Sequence, residues 1–455
     1  MTGNPLHSPF DPTALERMVP RYVSYPTEPH FTAAVDHAAY ARWLGGIPAG
    51  LPLALYVHVP FCSRICWFCA CRTQSVVRGA GLRRYVMALV REAATVAAAL
   101  PPGCRVSEIA WGGGSPSVLE APEIRALSAV LHRVFPGAAE APLEAELDAR
   151  DLDPARLAAL AEAGLAAATV SLGDIDPGVQ AAIGRHQDHA STIRAVDGLR
   201  AHGVGRITVD LLYGLPAQTS ATLARTVEAA LALAPDRVAL YGYAHMPWQA
   251  RRQAVIDARA LPDLAARRDQ AAAARAQLVA AGLVPVGHDM FARPGDALVE
   301  AAQAGRLARC FAGYRPDTPR ALIGLGASAV GALPQGYVQN ARATAGYIGA
   351  VEAGRLATSR GHALRLDDRL RRDVIGQILC GGGLDLDALG ARYGDFVRPV
   401  AAHAAALMAR APAGVLVPWR GGFRVDPAWQ SHLRLIAAEF DAYRRQGAAR
   451  HPIAL

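Results

Sequence analysis

The chain has 455 residues, 52% of them hydrophobic and 19% charged, and a net charge of +8. That length buries one large core with room for an accessory domain, and the balance is that of a globular enzyme rather than a disordered chain. Every basic residue other than histidine is arginine, since lysine is absent; Schiff-base catalysis and a phosphate-binding lysine loop are therefore excluded. The arginines are scattered rather than run together. This argues against nucleic acid as a partner and for an acidic small molecule, whose carboxylates guanidinium grips bidentately.

The N-terminal stretch "MTGNPLHSPFDPTALERMVPRY" has no apolar signal-like core, and no apolar run reaches the length of a membrane span. A cytoplasmic protein without a membrane span is expected, and there clustered cysteines bind metal more often than they form disulfides. Residues 1–50, with "VPRYVSYPTEPHF" rich in proline and aromatics, read as an irregular arm, either a lid or a packed extension. Six β-rich runs then follow: "LALYVHV", "VSEIAWGGG", "PLEAEL", "AATVSLG", "RITVDLLYGLP" and "DRVALYGYAHMP". Helical stretches such as "RRYVMALVREAATVAAAL" and "ATLARTVEAALALA" lie between them. Repeated βα units predict an α/β fold with a parallel sheet, closing into a partial (β/α)6 TIM-like barrel whose site sits just after the strands. "LVPVGHD" and "ALIGLGASAVG" extend the sheet, so the barrel with its extension covers 51–355. Residues 356–455 read as a mainly helical C-terminal domain carrying a small β-wing, "GVLVPWRGGFRVDP".

On the loop after the first run, Cys62, Cys66 and Cys69 form C-x3-C-x2-C. Three close thiolates suit a [4Fe–4S] cluster with one iron left open, because iron of this kind prefers sulfur. The alternative is zinc with Cys71 as the fourth ligand, although structural zinc sites usually join two separated pairs. Cys104, Cys310 and Cys380 read as buried core thiols. After the second run, "WGGGSPS" supplies glycines that let backbone approach a ligand. Glu146 and Asp210 lie near the ends of the third and fifth runs, where a carboxylate accepts hydrogen bonds from ribose hydroxyls or simply caps a turn.

The cysteine loop resembles that of radical S-adenosylmethionine (SAM) enzymes. The resemblance implies that the open iron chelates SAM, and that an electron from the cluster cleaves it to a 5′-deoxyadenosyl radical. "PRYVSYPT", "YVHVPFCSRICWFCACRT", "VDLLYGLPAQT", "YGYAHMP", "FARPGD", "YVQN" and "RRDVIGQILC" narrow it to the oxygen-independent coproporphyrinogen III oxidase family over nearly the whole chain. This resemblance implies a monomer with one cluster and two SAM molecules, and an electron donor such as flavodoxin or ferredoxin. The reaction it implies converts two propionates of a tetrapyrrole, coproporphyrinogen III, to vinyls, giving protoporphyrinogen IX in haem biosynthesis. By motif, Cys62, Cys66 and Cys69 would hold the cluster. Tyr56, Gly113, Glu146 and Val330 would contact the cluster-bound SAM, while Phe68, Gly114, Ser115, Arg185, Asp210 and Ala244 would line the second SAM. Tyr56, Glu146 and Arg185 are the catalytic candidates, and Arg21 is a candidate for substrate carboxylates.

Four segments depart from the family pattern. "SLGDIDP" (171–177) lacks a Val-Gln pair, and with it a glutamine expected at the second SAM. "HDMFARP" (288–294) exchanges a histidine and a methionine, so that His288 is either a displaced proton donor or a structural histidine. "CFAGYRP" (310–316) loses polar groups, and "GGG" (381–383) replaces an aromatic–arginine segment. Two other functions therefore stand beside the first: a paralogue with a different radical SAM reaction such as methylation, and a haem-binding or haem-delivery protein.

Overall fold

The structure is a computed structural model, and it describes residues 8–11, 14–76, 79–311, 313–317, 321–444 and 451–453. Six strands form the parallel heart of the sheet: β1 (Pro52–Val59), β2 (Arg105–Gly113), β3 (Leu143–Leu147), β4 (Leu165–Gly173), β5 (Arg206–Tyr213) and β6 (Arg237–Gly242). They lie side by side in chain order. Each alternates with helix, as the sequence periodicity predicts: α1 (Ala80–Ala98), α2 (Ala121–Val134), α3 (Pro154–Glu162), α4 (Pro177–Ile183), α5 (His189–Ala201) and α6 (Ser220–Ala232). Short acidic or hydroxyl caps start these helices where the strand loops end. Asp153, Asp176 and Asp188 accept from amides of the first turns of α3, α4 and α5, and Thr219 and Thr222 form a capping box on α6. Leu53, Leu55, Val57 and Val59 share one face of β1 and are buried, whereas Tyr56 and His58 on the other face are half-buried.

The sheet extends on both sides of the parallel heart. Past β6 come β8 (Met290–Ala292) and then β7 (Val284–Val286), both antiparallel. Beside β1 lies β9 (Ala321–Leu325), parallel to it, followed by an antiparallel meander of β10 (Val330–Leu333), β11 (Gly336–Asn340) and β12 (Thr358–Ala363). The run "ALIGLGASAVG" is thus two strands, because the chain reverses through Gly326, at φ +103°, between them. Strand β12 keeps the sheet going past residue 355 before the helices of the C-terminal part begin. Their wing is a hairpin, Leu416–Trp419 against Gly422–Val425.

The arm is packed rather than loose. Leu15, Val19 and Tyr25 are buried, and Thr32 bridges Gly361 on β12. Arg434, in the C-terminal helix Leu433–Ala438, donates to the carbonyls of Val19, Pro20 and Ile453, while the Tyr22 hydroxyl donates to Asp441. The tip of the arm reaches the end of β6, where Arg21 donates to the Gly242 carbonyl at 2.8 Å. No helix among the described residues is long and apolar enough to cross a membrane.

Candidate active site

The loop from Phe61 to Ser75 leaves β1 at the C-terminal end of the sheet and is clamped from three directions. The Trp67 amide donates to the Ile183 carbonyl (2.9 Å), Ser63 donates to Asp151 (2.7 Å), and Arg252 donates to the Thr73 hydroxyl and carbonyl. Cys62, Cys66 and Cys69 are thereby gathered within electrostatic reach of one another; burial first, then its two neighbours, push the Cys62 thiol up to about 12. The thiol of Cys71 donates to Cys69, which favours the Cys69 thiolate at about 6 and holds Cys71 protonated. Among the described residues no three thiol, imidazole or carboxyl groups are close enough to share a single metal ion. Zinc would draw its thiolates to about 2.3 Å from one centre. Three thiols gathered on one loop, with Cys71 turned to Cys69 as a donor, suit a multi-iron cluster on three thiolates.

Cys66 sits against two guanidinium groups that the chain brings from β3 and from the end of α4. Arg185 donates to its sulfur at 3.3 Å and Arg150 approaches at 3.9 Å. Both also bind Asp148, at 3.4 and 2.6 Å. Burial alone would raise Asp148, but hydrogen bonds from Arg150 and the charge of Arg185 outweigh it and hold the carboxyl at about 2. A buried charge that is paired and hydrogen-bonded in this way is tolerated, whereas an isolated one is not. Among the described residues, the Nε of Arg185 and Nε2 of His58 are buried without a hydrogen-bond partner. They are donor or acceptor positions left over at the point where a ligand would complete them. Neither His58 nor the Asp148–Arg150 pair was found by sequence reasoning. The phrase "ELDAR", an acid and an arginine two residues apart just after a strand, was the available signal.

The glycine loop crosses directly over this arrangement. A Cβ on Gly114 would lie 2.4 Å from the Phe61 carbonyl oxygen, and one on Gly113, at φ +103°, would strike the His58 ring at 2.4 Å. Only glycine allows such an approach. The Gly113 amide donates to Glu146 at 3.2 Å, and the Tyr56 hydroxyl lies 3.4 Å from His58 Nδ1. Burial, and to a lesser degree Glu146 and Asp289, push Asp210 up to about 8; burial raises Glu146 also, against the opposing Gly113 amide. Tyr56, Gly113, Glu146, Arg185 and Asp210 are therefore brought together. Val330 joins them at the rim, since Gly324 is opposite Tyr56 in the β1–β9 register and its Cβ position would meet the Val330 backbone at 2.7 Å.

Phe68 and Ala244, distant in sequence, are joined by Gln253, whose side chain donates to both carbonyls at 2.7 and 3.1 Å. Ser115 is buried in the glycine loop. Its amide donates to Phe61, and its hydroxyl bonds Ser117 and accepts from the Asp148 amide. Its polar groups thus hold the turn together. Where the glutamine after β4 is absent, Gln187 binds the Ser171 carbonyl alongside Arg185, and its Oε1 has no partner in the structure. At the second departure, burial lowers the His288 imidazole to about 4, and it is neutral; the adjacent Asp289 is paired with Arg309 at 3.0 Å.

Orphaned polar atoms, glycine cradle and thiolate set all fit a [4Fe–4S] cluster with SAM. Residues 56–230 match the Radical SAM superfamily, and the chain is a radical SAM enzyme with those cofactors. It is 43% identical over 436 residues to the oxygen-independent coproporphyrinogen III oxidase of Paracoccus denitrificans, covering 93% of this chain and 94% of the relative. It is 41% identical to that of Bradyrhizobium diazoefficiens, covering 96% and 97%. Coproporphyrinogen III oxidase from Escherichia coli, a radical SAM enzyme of known structure, superposes with a TM-score of 0.88 at 32% identity over 93% of this chain and 97% of that one. The chain belongs to the oxygen-independent coproporphyrinogen III oxidase family.

Proposed function

We propose that the chain oxidatively decarboxylates two propionates of coproporphyrinogen III to vinyl groups, giving protoporphyrinogen IX without oxygen. The observation that carries this reading is near-full-length similarity to relatives of that activity, together with a mouth in which Cys66, Glu146 and Asp210 are all in place. Cys62, Cys66 and Cys69 would hold the cluster; Tyr56, Gly113, Glu146 and Val330 would hold one SAM. Phe68, Gly114, Arg185, Asp210 and Ala244 would line a second, with Ser115 bracing the turn beneath it. When bound, the cluster and SAM supply a carbon-centred radical that takes a hydrogen atom from a propionate, after which carbon dioxide and one electron leave.

The residues of the chain do the rest. The carboxyls of Glu146 and Asp210, both raised by burial, would accept hydrogen bonds from ribose hydroxyls. Arg185 and Arg150 place positive charge beside Cys66, which stabilises added negative charge on the site. A shallow depression next to the loop contains Arg64, Arg150 and Arg194, the last two paired with Asp148 and Asp188. It supports an acidic one-electron carrier such as flavodoxin or ferredoxin as donor. The same reading takes the protein as a cytoplasmic monomer, with arm, barrel and C-terminal helical domain at 1–50, 51–355 and 356–455.

Anaerobic incubation of iron-reconstituted protein with dithionite, SAM and coproporphyrinogen III tests it. The expected products are protoporphyrinogen IX and a monovinyl tricarboxylate. Formation of 5′-deoxyadenosine with neither product overturns the substrate and leaves a different radical SAM reaction; absence of SAM cleavage overturns the enzyme.

A further inference from the structure

Helix α1 turns an apolar face to the sheet, with Leu82, Leu89, Ala93 and Val96 buried along it, and two polar side chains interrupt that face. Tyr85 and Glu92, seven residues apart and so on one side of the helix, are both buried, Glu92 with 2% of its surface exposed. A carboxylate at such a depth is tolerated only when donors surround it. Oε2 of Glu92 accepts from the Gly326 amide and from the Tyr347 hydroxyl, each at 2.7 Å, and Oε1 accepts from Asn340 Nδ2 at 2.6 Å. Burial still raises the carboxyl to about 7 against these three bonds.

Two of the three donors grip one turn. Residues 326–329 reverse the chain between β9 and β10, with Gly326 at φ +103° and Ser328 at φ +66°. Asn340, at the end of β11, donates to the Gly326 carbonyl at 2.9 Å as well as to Glu92, and its amide donates to the Ala329 carbonyl at 3.0 Å. Tyr85 holds the same turn from α1: its hydroxyl accepts from the Ala327 amide at 2.9 Å and donates to the His58 carbonyl at 2.7 Å. A Cβ on Gly326 would stand 2.4 Å from that carbonyl oxygen, so the turn is pressed against β1. It runs directly into Val330, while the His58 ring lies under Gly113. The third donor, Tyr347, comes from the helix Thr344–Glu352, beyond the turn.

We propose that Glu92 is a positioning residue for SAM: from outside the mouth its carboxylate fixes the 326–329 turn, and with it Val330, against the end of β1. This rests on the placement of Val330 at the cluster-bound SAM proposed above. A carboxylate is needed rather than an amide of the same size, because all three neighbours donate. The NH2 group of a glutamine would oppose Gly326 in one orientation and Asn340 in the other, and both of these hold the turn.

The test compares Glu92→Gln with Tyr347→Phe at pH 8, where Glu92 is ionised. Melting temperature and amide exchange across 326–329, followed by mass spectrometry, are measured on the cofactor-free protein, and SAM affinity on the cluster-reconstituted protein by calorimetry. Each variant loses a buried hydrogen bond, so both should melt lower. Glu92→Gln should also speed exchange across the turn and weaken SAM about tenfold, the scale of one charge-assisted hydrogen bond; Tyr347→Phe should leave both unchanged. Where Glu92→Gln does not fold, Asn340→Ala removes the donor shared by Glu92 and the Gly326 carbonyl and should show the same two changes. Equal losses of SAM affinity in Glu92→Gln and Tyr347→Phe overturn the inference, since the carboxylate then serves stability alone. Unchanged SAM affinity in Glu92→Gln overturns it too; faster exchange in that case puts the fault in the placement of Val330. Failure of the unaltered reconstituted protein to bind SAM overturns the function as well.

Discussion

At the barrel mouth the chemistry is acidic and glycine-lined: Glu146 and Asp210 have their carboxyls pushed toward the neutral form, and backbone passes within contact of ring and carbonyl. In the adjoining cavity, about 310 Å³ between the helix Leu264–Ala280, β8, the tip of the arm and the segment 427–434, it is basic, with Arg21, Arg268 and Arg275 on walls of alanine and aromatic rings. The two regions meet at Ala244. They differ in how a buried carboxyl is accommodated: at the mouth burial shifts Asp210 and Glu146 toward neutrality, whereas in the cavity Arg309 holds Asp289 charged. The mouth is built from loops bonded to one another, whereas the cavity is assembled from segments some four hundred residues apart.

This contrast can be broken at several points. The largest effect is expected at the cluster: Cys66→Ala should abolish the visible absorption of the reconstituted protein and all SAM cleavage. Cys71→Ala should retain the iron, because Cys71 is a donor to Cys69; equal iron loss in the two would make Cys71 a ligand. Next, Gly114→Ala places a methyl against the backbone of Phe61 and Val59. Overpacking against atoms that cannot move costs about 1–3 kcal/mol, seen as a lower melting temperature, and SAM affinity measured by calorimetry should fall with it. A variant with unchanged melting temperature would show that the loop gives way.

Asp210 tests the electrostatics of the mouth. Its carboxyl titrates at about 8 in the folded protein against an ordinary value of 3.8, so between those values the native state holds a proton that the unfolded chain has released. Stability of the cofactor-free protein therefore declines as pH rises through that window and levels off above about 8. Asp210→Asn should flatten the decline and raise the melting temperature at pH 7.5, roughly, while weakening SAM binding. An unchanged pH profile would mean that the group is ionised throughout. The smallest effect is expected from Arg150→Met, which removes the farther of the two guanidinium groups at Cys66, 3.9 Å from its sulfur. Even a charge-assisted hydrogen bond of about 1.5 kcal/mol corresponds to no more than roughly 65 mV for a one-electron couple. The cluster's reduction potential, measured by potentiometric EPR, should shift negative by less than that, and a positive shift would contradict the role given to Arg150.

The order of the strands, the helices between them, the three thiolates on one loop and the need for glycine at Gly113 and Gly114 were all legible in the sequence. Periodicity, cysteine spacing and backbone approach are short-range properties, decided by residues a few positions apart. Tertiary structure decided what those residues face. It turned Ser115 inward to Ser117 and Asp148, set Arg185 and Arg150 on the sulfur of Cys66, and raised Asp210 to about 8. The Arg268–Arg275 wall is the clearest case. In sequence it is two arginines in an alanine-rich helix, and it becomes a cavity surface only when β8, the arm and the C-terminal segment close around it. Burial and charge depend on neighbours that the chain brings from far away, and no local pattern records them.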